Sequence, residues 1–301
     1  MDPHDPPPLD PVDAVLLPTW RAAYSDRTSS LMATFAQLAY IPFVDVQPPP
    51  DQGQPKLEKP DGRDQLAAAL ALGGFRLLRV FNKDDNQAFL AIRDGEFAVL
   101  AFRGTANLGD WAIDLNVGLR PLPQDPRVLV HRGFLEAFES CQDEIRAAVA
   151  GLPEDLGLYI TGHSLGGALA QVASAALERD TLAACYTFGS PRVGKLGFDR
   201  LVKCPHYRLV NDWDLVPGVP PPWFLGYRHS GDPRLLTPGT RGQEALRRDK
   251  VGVLGFIVDV WALLRWVVSR RLLIIDDHMI WNYRTQLAEI AAARQKLSTT
   301  V

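Results

Sequence analysis

With 301 residues, 47% of them hydrophobic and 22% charged, the chain carries enough apolar material for one large core and is short for two domains. Its formal net charge of −3 at pH 7 offers no basic surface for a polyanion, which excludes nucleic acid as an expected partner. The three cysteines, Cys141, Cys185 and Cys204, are widely spaced and odd in number; they make neither a disulfide framework nor a metal-ligand pattern and read as small core or surface thiols.

Residues 1–20 are proline-rich and acidic, the composition of a disordered tail. They lack the basic start and apolar run of a secretory signal, so a cytoplasmic or peripheral-membrane location is expected, with export left open. Residues 21–301 are expected to form a single domain with an insertion at 233–275. Leu31, Phe35, Leu38 and Ala39 recur at helical spacing, with Asp26 or Thr28 as the cap. A Pro- and Gly-rich loop from Gln47 to Asp64 precedes a short Ala/Leu helix from Gln65 to Leu72. Phe75 to Phe81 and Ala88 to Arg93 read as a hairpin, and Glu96 to Phe102 as a further strand.

Beyond that strand, Leu108, Trp111, Ala112 and Leu115 share one helical face. Val128 to Val130 lead into a helix running to about Val149. Strands follow at Leu158 to Ile160, Ala183 to Gly189 and His206 to Val210, with a helical stretch after the first. This alternation predicts an α/β fold: a mostly parallel central sheet covered by helices, with functional groups at the C-terminal ends of strands.

The most informative stretch is Gly162-His163-Ser164-Leu165-Gly166. An apolar run precedes it and an Ala-rich helix follows, which is the strand–turn–helix context that a G-x-S-x-G nucleophile elbow demands. Ser164 must sit on a strained turn for its hydroxyl to project from the sheet. Gly162 and Gly166 leave room for strand and helix to approach, and the helix N-terminus offers free N–H groups where negative charge develops. A serine hydroxyl needs a base, and the base an orienting group. In α/β-hydrolases these follow in the order Ser, Asp or Glu, His. Downstream of Ser164 the chain supplies Asp212 and Asp214 at a strand end, then His278 before a final helix.

Ordered segments through the chain resemble the class 3 lipase family, which includes the fungal triacylglycerol lipases. They are Phe102-Arg103-Gly104-Thr105, Val130-His131-Arg132-Gly133-Phe134, Gly162 to Ala170, Phe188-Gly189-Ser190-Pro191-Arg192-Val193-Gly194, Val210 to Pro217, Tyr227-Arg228-His229-Ser230-Gly231 and Asp277-His278. The resemblance implies an α/β-hydrolase fold with Ser164 as nucleophile, His278 as base and Asp214, rather than Asp212, as the carboxylate. It implies an oxyanion hole from Thr105 and the N–H of Leu165, and a lid around Leu108, Trp111 and Ile113. His131, His163 and His229 fall in the same motifs at flanking positions and read as structural. The implied activity is hydrolysis of acylglycerols or other lipid esters without metal or organic cofactor. A short-chain esterase or phospholipase would share these residues, and a non-catalytic lipase-like module would be expected to lack one of them.

Pro233 to Lys250 reads as a polar loop, followed by the almost wholly apolar stretch Val251 to Val268. Asp259 and Arg265 within it each cost about 2.5–3.5 kcal/mol on membrane insertion, which offsets the gain from its apolar residues. An additional helix before His278 is expected instead, with Gly252, Gly255, Asp259, Ala262, Arg265 and Ser269 on one stripe. Its wide apolar face suits packing over the core, dimerisation, or docking at a lipid–water interface through Trp261 and Trp266.

Overall fold

The computed structural model describes residues 23–43, 62–84, 86–105, 118–211, 214–222, 225–236, 246–247 and 278–298. The tail at 1–20, Asp212, the lid segment with Leu108, Trp111 and Ile113, and the 251–268 segment with Trp261 and Trp266 lie outside the described residues.

Helix α1 (Asp26–Leu38) is buried along almost its whole length. Its cap is Ser25, whose side chain accepts from the Thr28 N–H at 3.4 Å, in place of the expected Asp26 or Thr28. A serine in extended conformation just outside the first turn reaches that N–H, whereas Asp26 already lies within the helix. Polar side chains survive in the buried helix because they bond the preceding turn: Ser29 Oγ donates to the Ser25 carbonyl at 3.0 Å and Thr34 Oγ1 to that of Ser30 at 3.1 Å.

Helix α2 (Gly62–Leu72) follows, then β1 (Arg76–Lys83), β2 (Asn86–Arg93) and β3 (Phe97–Phe102) as an antiparallel meander. Next come β4 (Leu119–Leu122), β5 (Asp125–His131), α3 (Arg132–Ala150), β6 (Gly157–His163), α4 (Leu165–Ala176) and β7 (Leu182–Phe188). The remainder is β8 (Gly194–Lys195), β9 (His206–Asn211), β10 (Tyr227–Arg228), β11 (Asp232–Leu236), β12 (Leu246–Arg247) and α5 (Ile280–Ser298).

The central sheet has the order β1-β2-β3-β6-β7-β9-β11-β12 and is parallel from β3 through β11. Strand alternation divides the interior into two cores. Phe97, Val99 and Ala101 face α1, α2 and α5, while Ala98, Leu100 and Phe102 face α3 and α4. Strand β6 is buried throughout, which is why it reads as a continuous apolar run.

Two further features depart from the sequence expectation. A second sheet, β10-β8-β5-β4, is formed by antiparallel pairs apart from the central one. In addition, Pro233 to Leu236, expected as loop, form most of β11, paired in parallel with β9. Asp232, Pro233 and Arg234 lie at the start of a half-buried strand near the sheet margin, where polar side chains and a missing N–H are tolerated.

Candidate active site

Ser164 sits between β6 and α4 with φ 57° and ψ −127°, a strained conformation for a residue with a side chain. The turn is closed by local contacts: Ser164 N–H donates to the Phe188 carbonyl of β7 at 2.9 Å, and Gly167 N–H to the Ser164 carbonyl at 2.9 Å. A side chain at Gly162 would overlap the main chain of Gly166. One at Gly166 would overlap the Phe102 carbonyl and the main chain of Arg103. The missing side chains let the first turn of α4 seat on the end of β3, shortly before Thr105. Leu165 opens α4, so its N–H has no helical acceptor four residues back.

Opposite this turn, Asp214 follows β9 and His278 precedes α5. His278 Nδ1 lies 2.9 Å from Asp214 Oδ1 and 2.8 Å from Oδ2, with both side chains almost fully buried. A carboxylate accepts, so Nδ1 carries the proton and the Nε2 lone pair is left to act as a base. The carboxylate is held from two other directions: Oδ1 accepts the Val216 N–H at 2.9 Å and Oδ2 the Tyr283 hydroxyl at 2.5 Å. Tyr283 Oη is itself fixed by the Asn211 N–H at 3.0 Å. Gly189 has φ 56°, and a β-carbon there would lie 3.0 Å from His278 Nδ1 and 2.5 Å from Asp214 Oδ2. Only glycine leaves that space. Ser164 Oγ and His278 Nε2 are both buried and have no hydrogen-bond partner among the described residues. They are the two atoms that a proton transfer from nucleophile to base would use.

Of the expected residues Ser164, Asp214 and His278, the fold brings Asp214 and His278 into direct contact, with the ring of His163, the residue before Ser164, 4.5 Å from that of His278. Sequence reasoning missed Tyr283 and Gly189. Gly189 lies in the quoted Phe-Gly-Ser-Pro segment, where a glycine at a strand end could have flagged it; Tyr283, inside a helix, carries no such signal.

Other histidines, His131 and His163 from the flanking positions and His206 of β9, are buried in different ways. Nδ1 of His131 accepts the Phe134 N–H at 3.4 Å at the start of α3. His206 lies between Thr187 Oγ1 at 3.0 Å and Ser230 Oγ at 3.3 Å. Burial pushes the His131 imidazole down to about 4; burial and then the Arg208 charge push His206 to about 3; burial and then His278 push His163 well below the ordinary value. Folded-state values below the unfolded value of about 6.5 mean that the unfolded chain takes up the protons first. These groups therefore contribute full stability above about pH 6.5, and lose it as the pH falls toward their folded values. Urea unfolding is expected to show constant stability near pH 7.5. Between pH 6.5 and 5 it should fall, with a slope that steepens toward about 1.4 kcal/mol per pH unit for each such histidine. A stability flat from pH 7.5 to 5 would contradict this.

Residues 99–224 match the model of the class 3 lipase family. The chain is 38% identical over 148 residues to secreted mono- and diacylglycerol lipase 1 of Fusarium solani, a match covering 47% of this chain and 44% of that one. It is 32% identical over 148 residues to the chloroplastic phospholipase A(1) DAD1 of Arabidopsis thaliana, covering 40% of this chain and 33% of the relative. A solved triacylglycerol lipase, reported with a serine protease triad as its catalytic centre, superimposes at 29% identity with a TM-score of 0.51, covering 56% of this chain and 69% of that chain. This chain thus covers less than half the length of either curated relative. The layered sheet and these likenesses make the fold an α/β-hydrolase fold.

Proposed function

The chain belongs to the class 3 lipase family through residues 99–224, and on that premise we propose that it is a serine carboxylic-ester hydrolase cleaving acylglycerols through an acyl-enzyme. The observation that carries this is the buried His278–Asp214 pair beside a strained serine turn, with Ser164 Oγ and His278 Nε2 both unengaged among the described residues.

Ser164 Oγ attacks the ester carbonyl while His278 Nε2 accepts its proton. Asp214 holds the Nδ1–H tautomer and neutralises the imidazolium that forms. The Leu165 N–H and Thr105 stabilise the tetrahedral oxyanion, each donor contributing roughly 3 kcal/mol in such sites. His278 then protonates the departing alcohol, and a water activated by the same imidazole releases the fatty acid and restores Ser164. The proposal extends to Leu108, Trp111 and Ile113 as a lid and to Trp261 and Trp266 as the contact with a lipid surface.

The likeness to a plant phospholipase A1 motivates a second reading, in which the same triad cleaves a glycerophospholipid. The test is fatty-acid release from triacylglycerols from tributyrin to triolein, above and below the solubility limit, beside phosphatidylcholine vesicles. Triacylglycerol cleavage whose rate jumps when droplets form is expected. Cleavage of phosphatidylcholine alone would favour the phospholipase, and an inert protein would remove both.

A further inference from the structure

We propose that Tyr40 and His163 are positioning residues for this site, tying the main chain of His278 by two directed hydrogen bonds to Tyr40, which packs against the strand end that carries Thr105. The proposal rests on the ester-hydrolase function above and deepens it.

Tyr40 Oη packs against Gly104, close enough that a β-carbon there would overlap it. Tyr40 Oη lies 2.7 Å from His163 Nδ1, and His163 Nε2 lies 2.5 Å from the His278 carbonyl oxygen. A carbonyl only accepts, so His163 carries its proton on Nε2, and Nδ1 takes the Tyr40 hydroxyl proton. Protonating His163 would strip the Tyr40 hydroxyl of its acceptor. Burial and the neighbouring His278 oppose that protonation, which favours the neutral form of this hydrogen-bonded chain.

Its placement matters for two reasons. First, His163 is the last residue of β6 and Ser164 the next, so the residue that holds the base by its carbonyl is bonded directly to the nucleophile. The His163 ring stands 4.5 Å from that of His278 and 6.1 Å from that of Tyr283. His278 is therefore attached at two points, Nδ1 to Asp214 and the carbonyl to His163. Two attachments fix the direction of Nε2 where one would leave a hinge. Second, Gly104 precedes Thr105, so Tyr40, packed on Gly104 and bonded to His163, sets the oxyanion strand against the base. A side chain at Gly104 would overlap both Tyr40 Oη and the His163 carbonyl, which keeps this junction closed. Misplacement of a reacting group by about 1 Å costs on the order of 10²-fold in rate.

The test compares His163→Phe, which keeps a planar ring and deletes both bonds, with Tyr40→Phe, their double variant, and His163→Gln, which retains a donor for the His278 carbonyl. Thr161→Val is the control: it deletes another buried bond between β6 and α1, from Thr161 Oγ1 to the Met32 carbonyl at 3.2 Å. Turnover is expressed per serine titrated with a phosphonate ester, beside KM and melting temperature. Expected are a roughly 10²-fold loss of kcat with unchanged KM for His163→Phe, and about tenfold for Tyr40→Phe. The double variant should be no worse than His163→Phe, and His163→Gln should recover most of the loss. Thr161→Val should melt earlier with kcat intact. Unchanged kcat per titrated site in His163→Phe and Tyr40→Phe, whatever their melting temperatures, overturns the positioning role alone. Should His163→Phe fail to fold, normal kcat in Tyr40→Phe overturns it equally. A wild type that neither cleaves esters nor reacts with the phosphonate overturns the hydrolase function itself, and the positioning role with it.

Discussion

Replacing Ser164 with alanine is expected to lower ester hydrolysis by about 10⁶-fold, the scale seen when the nucleophile of a serine triad is removed. Oxyanion donors and substrate binding remain, so a residue of roughly 10³–10⁴-fold over water should persist. The fold should not suffer. Ser164 Oγ is buried without a hydrogen-bond partner among the described residues, so its deletion breaks no bond there. Removing an unpaired buried hydroxyl is neutral or mildly stabilising. The strained φ of 57° remains in both proteins because main-chain bonds to Phe188 and Gly167 impose it. Hydrolysis in a pH-stat beside a thermal melt gives both numbers. Substantial activity in pure Ser164→Ala protein would move the nucleophile elsewhere.

Asp214→Asn is expected to cost about 10⁴-fold in kcat, with the melting temperature changed far less. Asp214 receives three donors: the His278 Nδ1–H, the Tyr283 hydroxyl and the Val216 N–H. An amide has one oxygen for these three and carries no charge. If its NH2 faces His278, the imidazole must turn its proton to Nε2 and ceases to be a base toward Ser164. If its oxygen does, the tautomer survives, but the imidazolium forms in a buried site without a counter-charge. Both arrangements slow the step in which Ser164 gives up its proton. Asp212→Asn is expected to be mild. The reverse ranking of the two variants, measured on the same ester, would transfer the carboxylate role to Asp212.

The elements easiest to read in advance were those encoded by neighbours in the chain. The hairpin of β1 and β2, the buried run of β6 and the Ala-rich α4 all carry their periodicity within a few residues. Much of the second sheet is shorter than its pattern can register: β8 and β10 each have two residues. Strand β11 is polar at its start because it is only half-buried, so its composition reads as loop.

By itself the sequence determined the alternation of strands and helices and a serine on a glycine-flanked strand-to-helix turn, with carboxylates and a histidine following in order. These are local properties, set by side-chain size at a tight turn and by which faces of each element are apolar. Only the tertiary structure decided what surrounds them. Tyr283 lies 69 residues from the carboxylate it donates to, and Tyr40 lies 123 residues from His163. Nothing in the composition of either segment anticipates these bonds, because a hydrogen bond of that span exists only once the sheet has folded and the helices on its face have brought donor and acceptor together.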